Sequence, residues 1–270
     1  EHTGLIDLDS LSTFKDDLAA VFYTNYGNKA LHGDVVRSVV SPNTKVYVDN
    51  ACALGAFWED GTFVGSECDF CCYSFDAMKL VVCGEGGCAF FRDKHEMDLF
   101  RSLTYLGLPP KEKSGLDSAQ NSSEWWEYDV TLPGLRSVFT NINASIGIPE
   151  IENVTRYLDR KSEIKNFYDY EFANIEKIKV NNKAVPYKSS NYFYTIQCDA
   201  RNELAQFLLK NGVYTTLRYH PLNQLSIFRQ EKKFSGTDEF FSKSLNIPIH
   251  HNLNDDDVNK IVESIKDFFC

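Results

Sequence analysis

"SFDAMKLVVCGEGG", residues 74–87, is the stretch on which the reading of this chain turns. A single lysine, Lys79, follows a short apolar strand and precedes Gly84-Glu85-Gly86-Gly87. Glycine tolerates backbone angles that other residues avoid, so this turn predicts a tight reversal of the chain. Upstream, "CDFCCYSF" (68–75) reads as a buried strand. Downstream, "GGCAFFR" (86–92) reads as another, followed by a helix from about Lys94 to Leu103. Further back, "KVYVDN" (45–50) is a strand ending in an acid, Asp49, and "AAVFYT" (19–24) and "LIDL" (5–8) are short strands. Between them, "NYGNKALHGDVVRSVV" (25–40) gives a turn and a short helix. Strands alternating with helices predict an α/β sheet, and such sheets hold ligands at the carboxyl ends of their strands. Asp49, Ser74 and Lys79 fall at or just past strand ends, so they can share one site.

Beyond the sheet, residues 109–133 read as a long polar loop with an aromatic anchor, Trp125-Trp126. From about Phe139 to Phe172 apolar residues recur near helical spacing, with Pro149 expected to kink or divide the helix. Residues 175–270 then give strands ("NYFYTIQC", 191–198), a helix (202–212), another strand and a final helix. That last helix is capped by Asn254, with three aspartates in its first turn. The expected organisation is a large α/β domain over 1–150, then a long connecting helix and a smaller α/β domain over 151–270.

The 270 residues are 43% hydrophobic, enough for a sizeable core. A formal charge of −10 argues against binding a nucleic-acid backbone or an anionic membrane by charge, and no apolar run is long enough to span a bilayer. The chain starts at Glu1 rather than Met, so its true N-terminus is expected upstream. Five of the eight cysteines crowd between 68 and 88. Buried thiols in a reducing cytoplasm are the simpler account. The alternative is a zinc site from Cys68, Cys71, Cys83 and Cys88, against which stand the irregular second spacing and the strand character of 71–72. The expectation is no metal.

A lysine becomes a covalent catalyst when desolvation, a nearby cation or an existing imine strips its proton near neutral pH. Pyridoxal phosphate needs a lysine for its aldehyde, a carboxylate at its pyridine nitrogen and a cup for its phosphate. Lys79, Asp49 thirty residues earlier and the Ser74 hydroxyl fit those three services, although spacing alone equally fits a solvated lysine and a capping aspartate.

Four stretches in order, "VYVDNACALGA" (46–56), "YSFDAMKLVVCGEGG" (73–87), "PGLRSVFTNINASIGI" (133–148) and "LNIPIHHNLNDDDVNKIVESIKDF" (245–268), resemble the sugar nucleotide aminotransferases of the DegT/DnrJ/StrS type. The resemblance covers essentially the whole chain. It implies an aspartate-aminotransferase-like fold acting as a homodimer, with active sites at the subunit boundary. It implies that Lys79 binds the aldehyde of pyridoxal phosphate and moves the substrate proton, that Asp49 keeps the pyridine nitrogen protonated, and that Ser74 binds the phosphate. The segment from Arg136 to Asn141 would reach the partner's site, with Arg136 a candidate phosphate ligand where relatives carry asparagine.

Three departures stand out. Cys52 occupies a position near the cofactor ring where relatives often have Gln, Glu or His. Asp76 stands where His is frequent. The family has about 100 further residues ahead of this chain's start, which carry more of the phosphate cup and the aromatic that stacks on the pyridine. His220, Asn25 and Tyr26 are weaker candidates for the substrate pocket. Trp125 and Trp126 are expected to pack on the core rather than on a nucleotide, and Glu85 to be a turn residue. The resemblance thus implies a cytoplasmic aminotransferase that takes an amino group, expected from glutamate, to a nucleotide-linked keto sugar. The alternatives are a non-catalytic relative kept for dimerisation or regulation, and a sugar dehydratase. The dehydratase route replaces the lysine with histidine, so Lys79 argues against it.

Overall fold

The computed structural model describes residues 3–27, 29–110, 116–117, 124–130, 132–180 and 187–269. Its first sheet has four strands, β1 (Ala20–Thr24), β2 (Lys45–Asp49), β4 (Phe70–Ser74) and β5 (Gly87–Phe91), adjacent in that order. β1, β2 and β4 run parallel, and β5 returns antiparallel beside β4. Period-2 alternation sends Val46 and Val48 fully into the core, where they meet Val36 of the short helix α2 (Gly33–Arg37). β3 (Phe57–Trp58) pairs with a distant two-residue strand, β7 (Tyr187–Lys188). Helix α3 (Lys94–Thr104) follows β5, capped by Asp93.

The register aligns the strand ends, with Thr24 opposite Asp49 and Asp49 opposite Cys72. A buried amide ladder fixes them there. Asn25 Nδ2 donates to Asn50 Oδ1 at 2.7 Å, Asn50 Nδ2 donates to the Val64 carbonyl at 2.7 Å, and Asn25 Oδ1 accepts from the Leu31 N–H at 2.9 Å. The GEGG turn is the reversal from β4 into β5. Gly84 and Gly86 have φ of 80° and 138°, and a Cβ on Gly87 would meet the Tyr73 carbonyl at 2.5 Å. The Phe139 ring lies on Gly86 so closely that no side chain fits there.

The strand expected at 5–8 does not form. Leu8–Ser12 is a short helix, α1, because the Asp7 carboxylate caps it by accepting from the Asp9 N–H at 3.1 Å. The long helical region also differs from its sequence reading. α4 (Asn141–Glu152) runs through Pro149, and the break falls at Asn153, before α5 (Val154–Phe172). The Asn153 backbone N–H and Nδ2 both return to the Pro149 carbonyl, closing α4 there.

The second half builds its own core. β6 (Lys179–Val180), β8 (Tyr194–Gln197) and β9 (Ser244–Ile247) form an antiparallel sheet. Against it lie α5, α6 (Arg201–Lys210) and α8 (Asp255–Phe269); α7 (Ser235–Lys243) leads directly into β9. α8 buries Val258, Ile261, Val262 and Ile265 on one face, and starts from a reciprocal cap between Asn254 and Asp257. Among the described residues no helix is long and apolar enough to cross a membrane.

Candidate active site

Three residues past the end of β2, the turn after Asp49 places Cys52 against Lys79, with Lys79 Nζ 3.8 Å from Cys52 Sγ. Burial pushes the Cys52 thiol up, and the charge of Asp49, three residues earlier, adds to that. One Asp49 oxygen accepts from the Ala51 N–H at 2.8 Å and faces the Cys72 thiol at 4.0 Å; the other makes no hydrogen bond among the described residues. The Ser74 hydroxyl accepts from the Asp76 N–H at 3.3 Å, a contact that leaves its own proton available to donate. Asp49 and Ser74 thus end adjacent parallel strands, and Lys79 meets Cys52 in the turn past Asp49.

The second half of the chain closes the site. The Ser190 hydroxyl donates to the Cys52 carbonyl at 2.8 Å, and the Tyr192 hydroxyl to the Met78 carbonyl at 3.0 Å. The Lys79 ammonium sits 5.0 Å from the centre of the Tyr192 ring. These contacts border a cavity of about 430 Å³ whose lining includes Lys79, Lys161, Tyr192, Arg218, Asn246 and His250. Asn246 holds the far wall: its Oδ1 accepts from the Arg218 N–H at 2.9 Å and its Nδ2 donates to Thr195 Oγ1 at 2.7 Å.

Burial alone would lower the Lys79 pKa, but Cys52, Tyr192 and Tyr219 around it outweigh that and the net shift is upward. Desolvation acts most strongly on a different lysine. Lys161 on α5 is 4% exposed, and burial brings it down to about 8.

Several sequence candidates lie elsewhere. Asn25 is fully buried and its amide is committed to the ladder, so it joins strands rather than lining a pocket. Tyr26 packs between Phe193 and Phe240, with its hydroxyl buried beside Asn246 and without a hydrogen bond of ordinary geometry. His220 is exposed and packs edge-on against Phe241, outside the cavity lining. Arg136 and Asn141 are exposed at the approach to α4, away from Lys79's immediate neighbours. Trp125 and Trp126 meet edge to face and stay more than half exposed, so they do not pack on the core as expected; most of the surrounding loop lies outside the described residues. Glu85 is an exposed turn residue. The four cysteines of the zinc alternative are not gathered: Cys68 and Cys71 belong to the sheet core, Cys83 packs under Phe75, and Cys88 is exposed. Among the described residues no cluster of metal-ligating side chains forms.

Lys161, Tyr192 and Arg218 were not singled out from sequence. For Lys161 a signal existed. It stands in register with Leu158, Ile164 and Tyr168 on the buried face of α5, where a lysine breaks the apolar stripe. Tyr192 and Arg218 reach the site through long-range contacts that no local pattern marks.

The residues present fit pyridoxal phosphate. A carboxylate with a free oxygen ends one strand, an available hydroxyl ends the next, and a lysine amine meets the thiol of the turn after the first. Comparison with known proteins agrees. Residues 19–266 match the model of the DegT/DnrJ/EryC1/StrS aminotransferase family. The chain is 31% identical over 222 residues to dTDP-4-dehydro-2,3,6-trideoxy-D-glucose 4-aminotransferase of Saccharopolyspora spinosa, covering 81% of this chain and 57% of that protein. It therefore spans a little over half the length of this relative. Among solved structures, the sugar aminotransferase CalS13 of Micromonospora echinospora superposes with a TM-score of 0.86 at 25% identity, over 98% of this chain and 72% of its own. The PLP-form of a sugar aminotransferase from Streptococcus pneumoniae superposes with a TM-score of 0.84 at 25% identity, over 97% and 71%.

Proposed function

Because the chain belongs to the DegT/DnrJ/EryC1/StrS aminotransferase family, we propose that it carries the site of a pyridoxal-phosphate aminotransferase acting on a nucleotide-linked keto sugar. The observation that carries this reading is the contact of Lys79 Nζ with Cys52 Sγ at 3.8 Å, which brings the lysine to the turn just past Asp49 at the end of β2. When bound, pyridoxal phosphate supplies an aldehyde that takes up the amino group and a ring that accepts the electron pair. Asp49 would face the pyridine nitrogen and favour its protonated form, Ser74 would donate its hydroxyl to the phosphate, and Lys79 would supply the amine for the aldehyde and carry the proton to and from the substrate carbon. Tyr192, anchored on the Met78 carbonyl, holds the turn that presents Lys79. Glutamate is the proposed donor and a keto sugar on a nucleoside diphosphate the acceptor, the kind of substrate the Saccharopolyspora relative is named for.

The chain is read as a cofactor domain over 1–150 and a smaller domain over 151–270. Its second subunit is a copy of itself. Ile142 and Ile146, one turn apart on α4, and Ile148 and Ile151 on its other side are 46% to 75% exposed, and with nearby Arg136 and Asn141 they form the surface proposed to meet the partner. Among the described residues seven cysteines are free, which suits a reducing cytoplasm.

The test is spectroscopic. Protein mixed with pyridoxal phosphate should gain a band near the violet edge of the visible, and borohydride should fix the cofactor on the peptide containing Lys79. Lys79→Ala should show neither. Absence of the band in the wild-type protein at saturating cofactor would sink the catalytic reading.

A further inference from the structure

Lys161 is the feature that the chemistry above leaves unused. The residue is 4% exposed on α5, its side chain lines the cavity, and it makes no hydrogen bond or ion pair among the described residues; its one close partner is the Tyr192 ring, 5.5 Å from Nζ to the centre. A buried cation without a counter-ion is costly, and structures normally pair one. The groups facing it come from three places: Cys52 after β2, Tyr192 before β8, and His250 and His251 after β9, both pulled down first by burial and then by the Lys161 charge. None supplies a negative charge. Among the described residues lining the cavity the one carboxylate is Asp257, which is engaged by the Asn254 N–H at 3.2 Å in the cap of α8. Lys79, Arg218 and Lys260 line the same space. In a chain of net charge −10, this cavity is a local concentration of positive charge.

We propose that Lys161 anchors an oxyanion subsite at the back of the Lys79 cavity, and that its ligand is a carboxylate of the amino-acid donor. The proposal rests on the aminotransferase reading. Two observations select a carboxylate over the diphosphate of the acceptor. Lys161 offers one enclosed ammonium, with no second cation in contact and no fork of donors, which suits a single carboxylate. It also shares the Tyr192 ring with Lys79, so an acid held by Lys161 lies within reach of the reacting amine. A bound carboxylate restores the missing counter-charge. Because the free ammonium titrates at about 8, binding should take up a proton on the alkaline side of neutrality.

Calorimetric titration with glutarate tests this directly, since that dicarboxylate has no amino group to react. Wild-type protein should bind glutarate, with an affinity that falls as pH rises through about 8. The heat should depend on the buffer's ionisation enthalpy, reporting proton uptake. Lys161→Met should bind at least tenfold more weakly, and Lys161→Arg should retain most of the affinity. UDP binding should be unchanged in Lys161→Met. Equal glutarate binding by wild type and Lys161→Met, or a loss of UDP instead of glutarate, would overturn the proposal. The violet band with pyridoxal phosphate, measured on the same variants, keeps this separate from the aminotransferase reading. Lys161→Met that retains the band but not glutarate supports the subsite. Loss of the band in wild type refutes the wider reading alone.

Discussion

Asn50→Leu tests the device that holds the site's strand ends together. The leucine nearly conserves volume, so the cost is polar. Two hydrogen bonds go: Asn25 Nδ2 to Asn50 Oδ1, and Asn50 Nδ2 to the Val64 carbonyl. They are not equivalent. The Val64 carbonyl keeps a second donor, the Tyr73 hydroxyl at 2.8 Å, so it stays satisfied and only a net bond of about 0.5–1.5 kcal/mol is lost. The Asn25 amide, fully buried, is orphaned at a cost of roughly 1–3 kcal/mol. The expected destabilisation is about 2–4 kcal/mol, or a drop in melting temperature of roughly 5–15 °C for a chain of this size. Tyr73→Phe alone should cost about 1 kcal/mol, because Asn50 still serves the Val64 carbonyl. The double variant leaves that carbonyl bare, so the two changes should be super-additive by roughly 1–2 kcal/mol. Urea unfolding followed by fluorescence is suitable, since Trp58 is buried in the same small core as Val64. An Asn50→Leu protein within about 0.5 kcal/mol of wild type, or an additive cycle, would refute the reasoning.

Other expectations follow from the same geometry. Lys161 is shifted down from 10.5 to about 8, so the unfolded chain binds the extra proton between those values and Lys161's stability penalty is complete below about pH 8. Lys161→Met should therefore be more stable than wild type by about 3 kcal/mol at pH 7, with the difference closing toward pH 10.5; thermal melts across that range check it. Ile142→Asp with Ile146→Asp should shift the protein toward monomer in sedimentation without lowering its melting temperature as a monomer, because both side chains are exposed in the single chain. Gly87→Ala should disrupt the turn behind Lys79, since the new methyl would meet the Tyr73 carbonyl; weakened cofactor absorbance with the strand spectrum retained is the expected outcome. Asn25→Ala should lower stability rather than raise KM for the sugar, as its amide bonds only to other parts of the fold.

How far the chain could be read in advance depended on whether the cause was local. The strands at Lys45–Asp49, Phe70–Ser74 and Gly87–Phe91 were readable because alternation and glycine act over a few residues. That reading brought Asp49, Ser74 and Lys79 to one edge. The segment at 5–8 was misread because one capping carboxylate, Asp7, outweighs a short apolar run. Pro149 was misplaced as the break because the helix tolerates it and closes on Asn153 instead. Tyr192 and Arg218 were invisible because their roles arise when residues more than a hundred positions apart meet across the cavity. Asn25 and Tyr26 sit at a strand end, where pocket residues often lie, but the space there is already filled by Asn50, Phe193 and Phe240.

The contact between Phe139 and Gly86 joins the approach to α4 to the turn behind Lys79, and Asn143 Nδ2 reinforces it with a 2.6 Å bond to the Cys83 carbonyl. The start of α4 and the presentation of the lysine are therefore one mechanical unit. On the proposed self-association, a second copy that covers the exposed isoleucines of α4 would also steady the turn, so occupancy by cofactor and self-association should rise and fall together on dilution. Each subunit would then hold its neighbour's chemistry in trust, and the protein's specific activity would depend on its own concentration.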